Sequence, residues 1–316
     1  MERFIKKEDL PNSLWCKDRK IIKLPNLLVE KWKLLLEDNN LSELATKKAD
    51  KGFIGGISKE ETDKHLAWRY NGSCGRVILS LLDPKNQLSK VSDAYAEIFA
   101  GQRVFLADLP SGSGAAVISI LTTLAELRTQ SVLPRIPLDI SIVAGEISES
   151  ARSYLKKQLD ELIEPLKEQA ISFEYTILHW DVLDRINNAD LIRQITIRSQ
   201  NCDSRLLVVS NFSGLLEGNS KWKEAEKQIS EIFIHSRDQL SAAIWIEPQK
   251  NNVLDHFFPR MSTWFKQLFK PILTFVGGES EENEPYGLAD IKCEQPIKDG
   301  TFPIRLTIAR FDLPLD

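Results

Sequence analysis

Apolar residues along this chain follow two periods, and the change from one to the other falls near residue 103. Before it, Leu27, Leu28, Trp32, Leu35 and Leu36 recur at helical spacing and Asn39-Asn40 supplies a stop signal, which predicts an amphipathic helix. The loop Lys51-Gly52-Phe53-Ile54-Gly55-Gly56 separates that helix from the next stretch. Gly72-Ser73-Cys74-Gly75 reads as a turn ahead of the apolar run 77–82, which Asp83-Pro84 closes, and a further helix is expected over 90–99. From Arg103 onward, short apolar runs alternate with amphipathic stretches, the pattern of βαβ units and a parallel sheet.

The expected strands are 104–107, 138–144, 171–178, 206–210, 242–246 and 272–276. Between the second and third, Ala151, Tyr154, Leu155, Leu159, Leu162, Ile163 and Leu166 mark a helix capped by Ser148 and bent or ended by Pro165. Further helices are expected over 190–197 and 261–269. Phe302, Ile304, Leu306 and Ile308 alternate with more polar neighbours, which suits an edge hairpin better than a buried parallel strand. An acidic, glycine-containing loop occupies 277–285. The expected organisation is a mostly helical N-terminal region, 1–100, followed by an α/β domain, 101–316.

Composition narrows the class without choosing a function. A chain of 316 residues with 42% hydrophobic and 27% charged residues has the balance of a soluble globular protein with ample core. Its formal net charge of −4 gives no global attraction to nucleic acid or membrane. Cys16, Cys74, Cys202 and Cys293 form no C-x-x-C pair, which argues for a reduced protein without structural zinc and predicts no metal. No apolar run approaches the roughly 20 residues that cross a bilayer. A cytoplasmic location is expected.

The chemistry concentrates where strands end. Asp108-Leu109-Pro110-Ser111-Gly112-Ser113-Gly114 joins the first strand of the sheet to a helix, and its glycines let a ligand lie against the main chain. Ligands of open α/β sheets bind beyond the carboxyl ends of the strands. Glu146 follows the second strand, Trp180-Asp181 the third, Asn211 the fourth and Glu247 the fifth. A dinucleotide site requires G-x-G-x-x-G with an acid about 20 residues on. Here Val117 replaces the third glycine, Glu146 comes too late, and Asp108 would repel a pyrophosphate.

A cofactor carrying a sulfonium and an ammonium, with no phosphate, suits an aspartate at the turn. On these residues the segment from Arg103 to the end resembles the class I SAM-dependent methyltransferases. Asp108 to Gly114 is similar to that family's first motif, D-x-G-x-G-x-G, with Pro110 in place of the first glycine. The resemblance implies an α/β fold with a doubly wound, mostly parallel seven-stranded sheet whose last two strands are 272–276 and 301–311. It implies S-adenosylmethionine as cofactor, held by Asp108, Ser111, Gly112 and Gly114. Glu146 would bind the ribose hydroxyls, Asp181 the adenine amino group, and Trp180 would pack beside the base. Asn211 takes the fourth-motif position near the methyl donor and is the candidate catalytic residue. Ser210-Asn211-Phe212-Ser213 departs from the motif of amino-methylating nucleic-acid enzymes, so the acceptor stays open among nucleic acid, protein and small molecule. The alternative is a non-catalytic SAM-binding or SAM-fold subunit, with the helical region and the acidic loop as docking surfaces for a protein partner. Neither reading involves a membrane.

Overall fold

The computed structural model describes residues 5–50, 56–217, 221–250, 256–268 and 286–315. A single 3₁₀ turn, Lys7–Asp9, leads to a short hairpin of β1 (Trp15–Cys16) and β2 (Ile21–Ile22). Then come α1 (Asn26–Asp38), α2 (Ser42–Thr46), α3 (Lys59–Trp68), α4 (Tyr70–Leu82) and α5 (Ser89–Phe99). The alternating part begins with β3 (Arg103–Asp108), α6 (Ala115–Thr129), β4 (Leu138–Glu146), α7 (Glu149–Lys167), β5 (Ile171–His179) and α8 (Arg185–Ser199). It continues with β6 (Ser204–Ser210), α9 (Ser213–Glu217), α10 (Trp222–His235), β7 (Ser241–Pro248), α11 (Phe258–Leu268), β8 (Gly287–Glu294) and β9 (Thr301–Asp312).

These strands form one mixed sheet in the order β1-β2-β8-β9-β7-β6-β3-β4-β5. Among the described residues it has nine strands, where seven were expected of the whole domain. Three of them were not expected: β8 itself and the two strands of the N-terminal hairpin, whose Ile21 and Ile22 pair in parallel with Lys292 and Cys293 of β8. Two-residue strands have no periodicity of their own; tertiary pairing alone defines them. The sheet is parallel from β5 through β7, then antiparallel where β9 meets β7 and β8. β9 does form a hairpin with β8, yet it lies inside the sheet and not at its edge, because its other side pairs with β7. The expected strand 272–276 and the acidic loop 277–285 lie outside the described residues.

Alternate side chains of the parallel strands enter two cores. Val104, Leu106, Ile140, Ile142, Leu206 and Val208 pack with α6 and α7 on one face. Phe105, Ala107, Val143, Leu207 and Val209 pack with α8, α10 and α11 on the other. Leu28, Trp32, Leu66, Tyr70 and Ile78 of α1, α3 and α4 belong to the first of these cores, so the N-terminal helices share their interior with the sheet.

The stretch expected as a turn at 72–75 is interior helix in α4. Glycine there serves packing: a methyl on Gly75 would come within 2.7 Å of Ile304 Cδ1 on β9. Pro165 is accommodated inside α7, which ends two residues later at Lys167. Among the described residues no helix is long and apolar enough to cross a membrane.

Candidate functional site

Strand order reverses between β3 and β6: the chain runs outward through β4 and β5, then returns to the other side of β3. In an open α/β sheet the crevice at such a reversal is where ligands bind. Asp108 ends β3 at this point and is fully buried. Its Oδ2 accepts the Val117 N–H at 3.1 Å, tying the strand to the first turn of α6, while its Oδ1 is buried with no hydrogen-bond partner among the described residues. Burial raises the carboxyl to about 8, and the nearby charge of Glu146 adds to the shift.

The turn that follows is built for close approach. Gly112 and Gly114 have φ of 52° and 90°, the left-handed region that favours glycine. A methyl on Gly114 would lie 2.5 Å from Leu155 Cδ1, whereas one on Gly112 would meet nothing within 4 Å. Gly114 therefore seats α6 against α7, and Gly112 faces open space. Ser111 is buried and closes the turn through its N–H to Gly145 O, at 2.9 Å, and its carbonyl to Gly114 N, at 2.8 Å.

Glu146, at the end of β4, binds two loops at once. Its Oε2 accepts the Gly112 N–H at 2.9 Å and its Oε1 the Ser148 N–H at 2.8 Å. Burial raises its pKa against the opposing pull of these donors. Trp180 is buried in the second core, tilted against Phe212 at 5.9 Å, with its Nε1–H donating to Asn188 Oδ1 at 3.3 Å. Asp181 is partly exposed; its Oδ1 accepts the Leu183 N–H at 2.9 Å in a local turn, leaving Oδ2 uncommitted.

Asn211 follows β6 with φ 56°, a conformation asparagine tolerates better than most residues. Its side chain points into a group that sequence reasoning did not assemble. Arg76 of α4 donates from Nη2 to Asn211 Oδ1 at 2.7 Å and to Ser73 Oγ at 3.2 Å, and Asn211 Nδ2 donates to that same Oγ at 3.2 Å. His65 of α3 is held down to about 4 by burial, then by the charges of Arg76 and Arg69, and is neutral at physiological pH. Glu247, at the end of β7, is a buried anchor: its carboxylate accepts the N–H groups of Phe212 and Ser213, the Ser213 hydroxyl and the Trp245 indole N–H, each at 2.8 Å.

The helices α3 and α4 thus roof the carboxyl ends of the strands. Thr62 meets Ser148 at 2.9 Å between hydroxyls. Tyr70 donates to Gln158 Oε1, and Gln158 Nε2 donates to Ser113 O, both at 2.7 Å, linking α4 to the glycine turn. Asp108, Ser111, Gly112, Gly114 and Glu146 are brought together around one turn; Asn211 sits with the roof, and Trp180 within the core.

The chain is similar to solved methyltransferase structures. A proposed RNA methyltransferase of Pyrococcus horikoshii is 13% identical, with 88% of this chain and 99% of that one covered, at a TM-score of 0.36. Precorrin-6y C5,15-methyltransferase of Geobacter metallireducens is 9% identical, over 71% and 89% of the chains, at 0.37. A proposed S-adenosylmethionine-dependent methyltransferase of Methanococcus maripaludis is 12% identical, over 86% and 98%, at 0.32. No protein-family model and no curated protein matches the sequence.

Proposed function

We propose that the protein binds S-adenosylmethionine at the switch point and transfers its methyl group to an acceptor. The observation that carries this reading is the orphaned, buried Oδ1 of Asp108 beside the open turn at Gly112. A buried carboxyl oxygen without a partner is costly, and burial keeps this group protonated until a cation or N–H group reaches it. The methionine end of the cofactor supplies an ammonium, so the residues present fit the group. Asp108 and the backbone of Ser111 to Gly114 would hold that end. Glu146, with lone pairs beyond its two N–H contacts, would take the ribose, and the uncommitted Oδ2 of Asp181 would take the adenine amine.

When bound, the cofactor supplies an electrophilic methyl on a sulfonium. The chain's own contribution is placement. The strand ends fix the cradle, and Ser73 and Arg76 of α4 fix the Asn211 side chain. Alignment of this kind accounts for much of the rate in a direct displacement.

Calorimetry with S-adenosylmethionine tests the site: binding is expected in the wild type and lost in the Asp108→Ala/Glu146→Ala double variant. No wild-type binding would overturn the reading. Binding without transfer of label from methyl-labelled cofactor to any fraction of a cell extract would favour a non-catalytic subunit. A thermal shift with NAD in place of SAM would return the dinucleotide reading.

A further inference from the structure

The Arg76 guanidinium is only partly spent. Nη2 serves Asn211 and Ser73, Nε is buried with no hydrogen-bond partner among the described residues, and Nη1 makes none of the hydrogen bonds in this group. No carboxylate among the described residues forms an ion pair with it. Glu247 is the acid whose charge it feels, and that carboxylate is committed to four other donors. The charge of Arg69 opposes its own. Burial lowers Arg76 to about 10, which still leaves it cationic at physiological pH.

The approach to this cation is kept clear. Gly72 lies inside α4, where glycine costs about 1 kcal/mol relative to alanine. A methyl there would have Arg76 Nη1, at 3.8 Å, as its nearest side-chain contact, so the glycine leaves that nitrogen uncovered. An unpaired, partly desolvated guanidinium with donors to spare binds a carboxylate through charge-assisted hydrogen bonds.

We propose that Arg76 recognises a carboxylate on the methyl acceptor, so that the acceptor is a small organic acid. The proposal rests on the methyltransferase reading for the word acceptor, but the anion site stands on its own geometry. Two physical arguments favour an acceptor carboxylate. Arg76 touches Asn211, the residue assigned to the methyl-donor end, where its charge opposes a sulfonium; an anionic acceptor offsets that repulsion. The guanidinium is partly buried and lies beside a glycine of its own helix, which suits a small molecule better than a polymer backbone.

The first test titrates sodium acetate into the full chain and follows the arginine Nε–Hε signals by NMR. A saturable shift is expected in the wild type and about tenfold weaker binding in Arg76→Gln, the loss of one charge-assisted contact. Gly72→Leu retains the guanidinium and blocks its approach, so it serves where Arg76→Gln does not fold; it should weaken acetate equally. Identical titrations in all three proteins would overturn the anion site. The second test compares S-adenosylmethionine with S-adenosylhomocysteine by calorimetry. Arg76→Gln should leave the neutral thioether's affinity within about twofold and strengthen the sulfonium's, because a repulsion is removed. About tenfold weakening of both would assign Arg76 to the cofactor's own carboxylate and overturn the acceptor assignment. An Arg76-dependent interaction with single-stranded oligouridylate, without one for acetate, would overturn it in favour of a phosphate backbone. Failure of both cofactors to bind the wild type would remove the methyltransferase reading and leave the acetate result standing.

Discussion

Asp108→Asn isolates the most strained charge in the site. In the folded chain this carboxyl titrates at about 8, against a reference of 3.8. The folded state therefore holds its proton over a range where the unfolded chain has released it. The stability this supplies is present below about pH 4 and is lost as pH rises through about 8. At 1.36 kcal/mol per unit, a displacement of about four units corresponds to roughly 6 kcal/mol over the whole window. Between about pH 5 and pH 8 the loss is roughly 4 kcal/mol. Asparagine keeps an oxygen for the Val117 N–H and does not titrate, so the variant should gain that amount on the wild type across this interval. Glu146 and Glu247 are also raised by burial, but they are common to both proteins and largely cancel in the difference. Urea denaturation at four pH values measures it. Parallel stability profiles, within about 1 kcal/mol at every pH, would refute the argument that Asp108 is a buried, proton-holding carboxyl. If the cofactor's ammonium meets this group, added S-adenosylmethionine should flatten the wild-type profile, because a cation favours the ionised form.

Glu146→Gln replaces one acceptor with a donor facing an N–H; it should cost about 1–3 kcal/mol in denaturant and weaken S-adenosylmethionine at least about tenfold by calorimetry. Gly114→Ala places a methyl against Leu155 at a positive φ, with about 2–4 kcal/mol lost and a clear fall in Tm; an unchanged Tm would show that the turn can relax. Glu247→Gln leaves at least one of four buried donors unmatched, which should cost about 2–4 kcal/mol and loosen the backbone at Phe212 and Ser213, read as faster amide exchange there. Trp180→Phe gives up the bond to Asn188 for about 1 kcal/mol, and cofactor affinity should stay within about twofold because the ring is buried in the core.

The strands of the parallel sheet were readable because burial on both faces forces continuous apolar runs, and residues 104–107 or 206–210 leave little else they could be. The acids at their ends were readable for the same reason: a charge closing an apolar run marks where the strand leaves the core. Helix α4 was not. Gly72, Ser73 and Gly75 look like turn residues, and what demands the glycine at 75 is local only in space: Ile304, on a strand more than 200 residues away. Arg76 was unreadable as a site residue because its partner Asn211 is 135 positions later. Glu247 was placed at the right rim, but its role there was not legible; its four donors make it an anchor.

The parallel pairing of Ile21 and Ile22 with Lys292 and Cys293 joins segments about 270 residues apart. At about 5–20 residues per second, ribosomal synthesis leaves the hairpin without its neighbour for some tens of seconds. Leu28, Trp32 and Ile78 face the same wait for Ile304 and Leu306, with which they share a core. Helices α1, α3 and α4 therefore leave the ribosome before the strand that completes their interior has been made. That interval is when the nascent chain has most need of a chaperone.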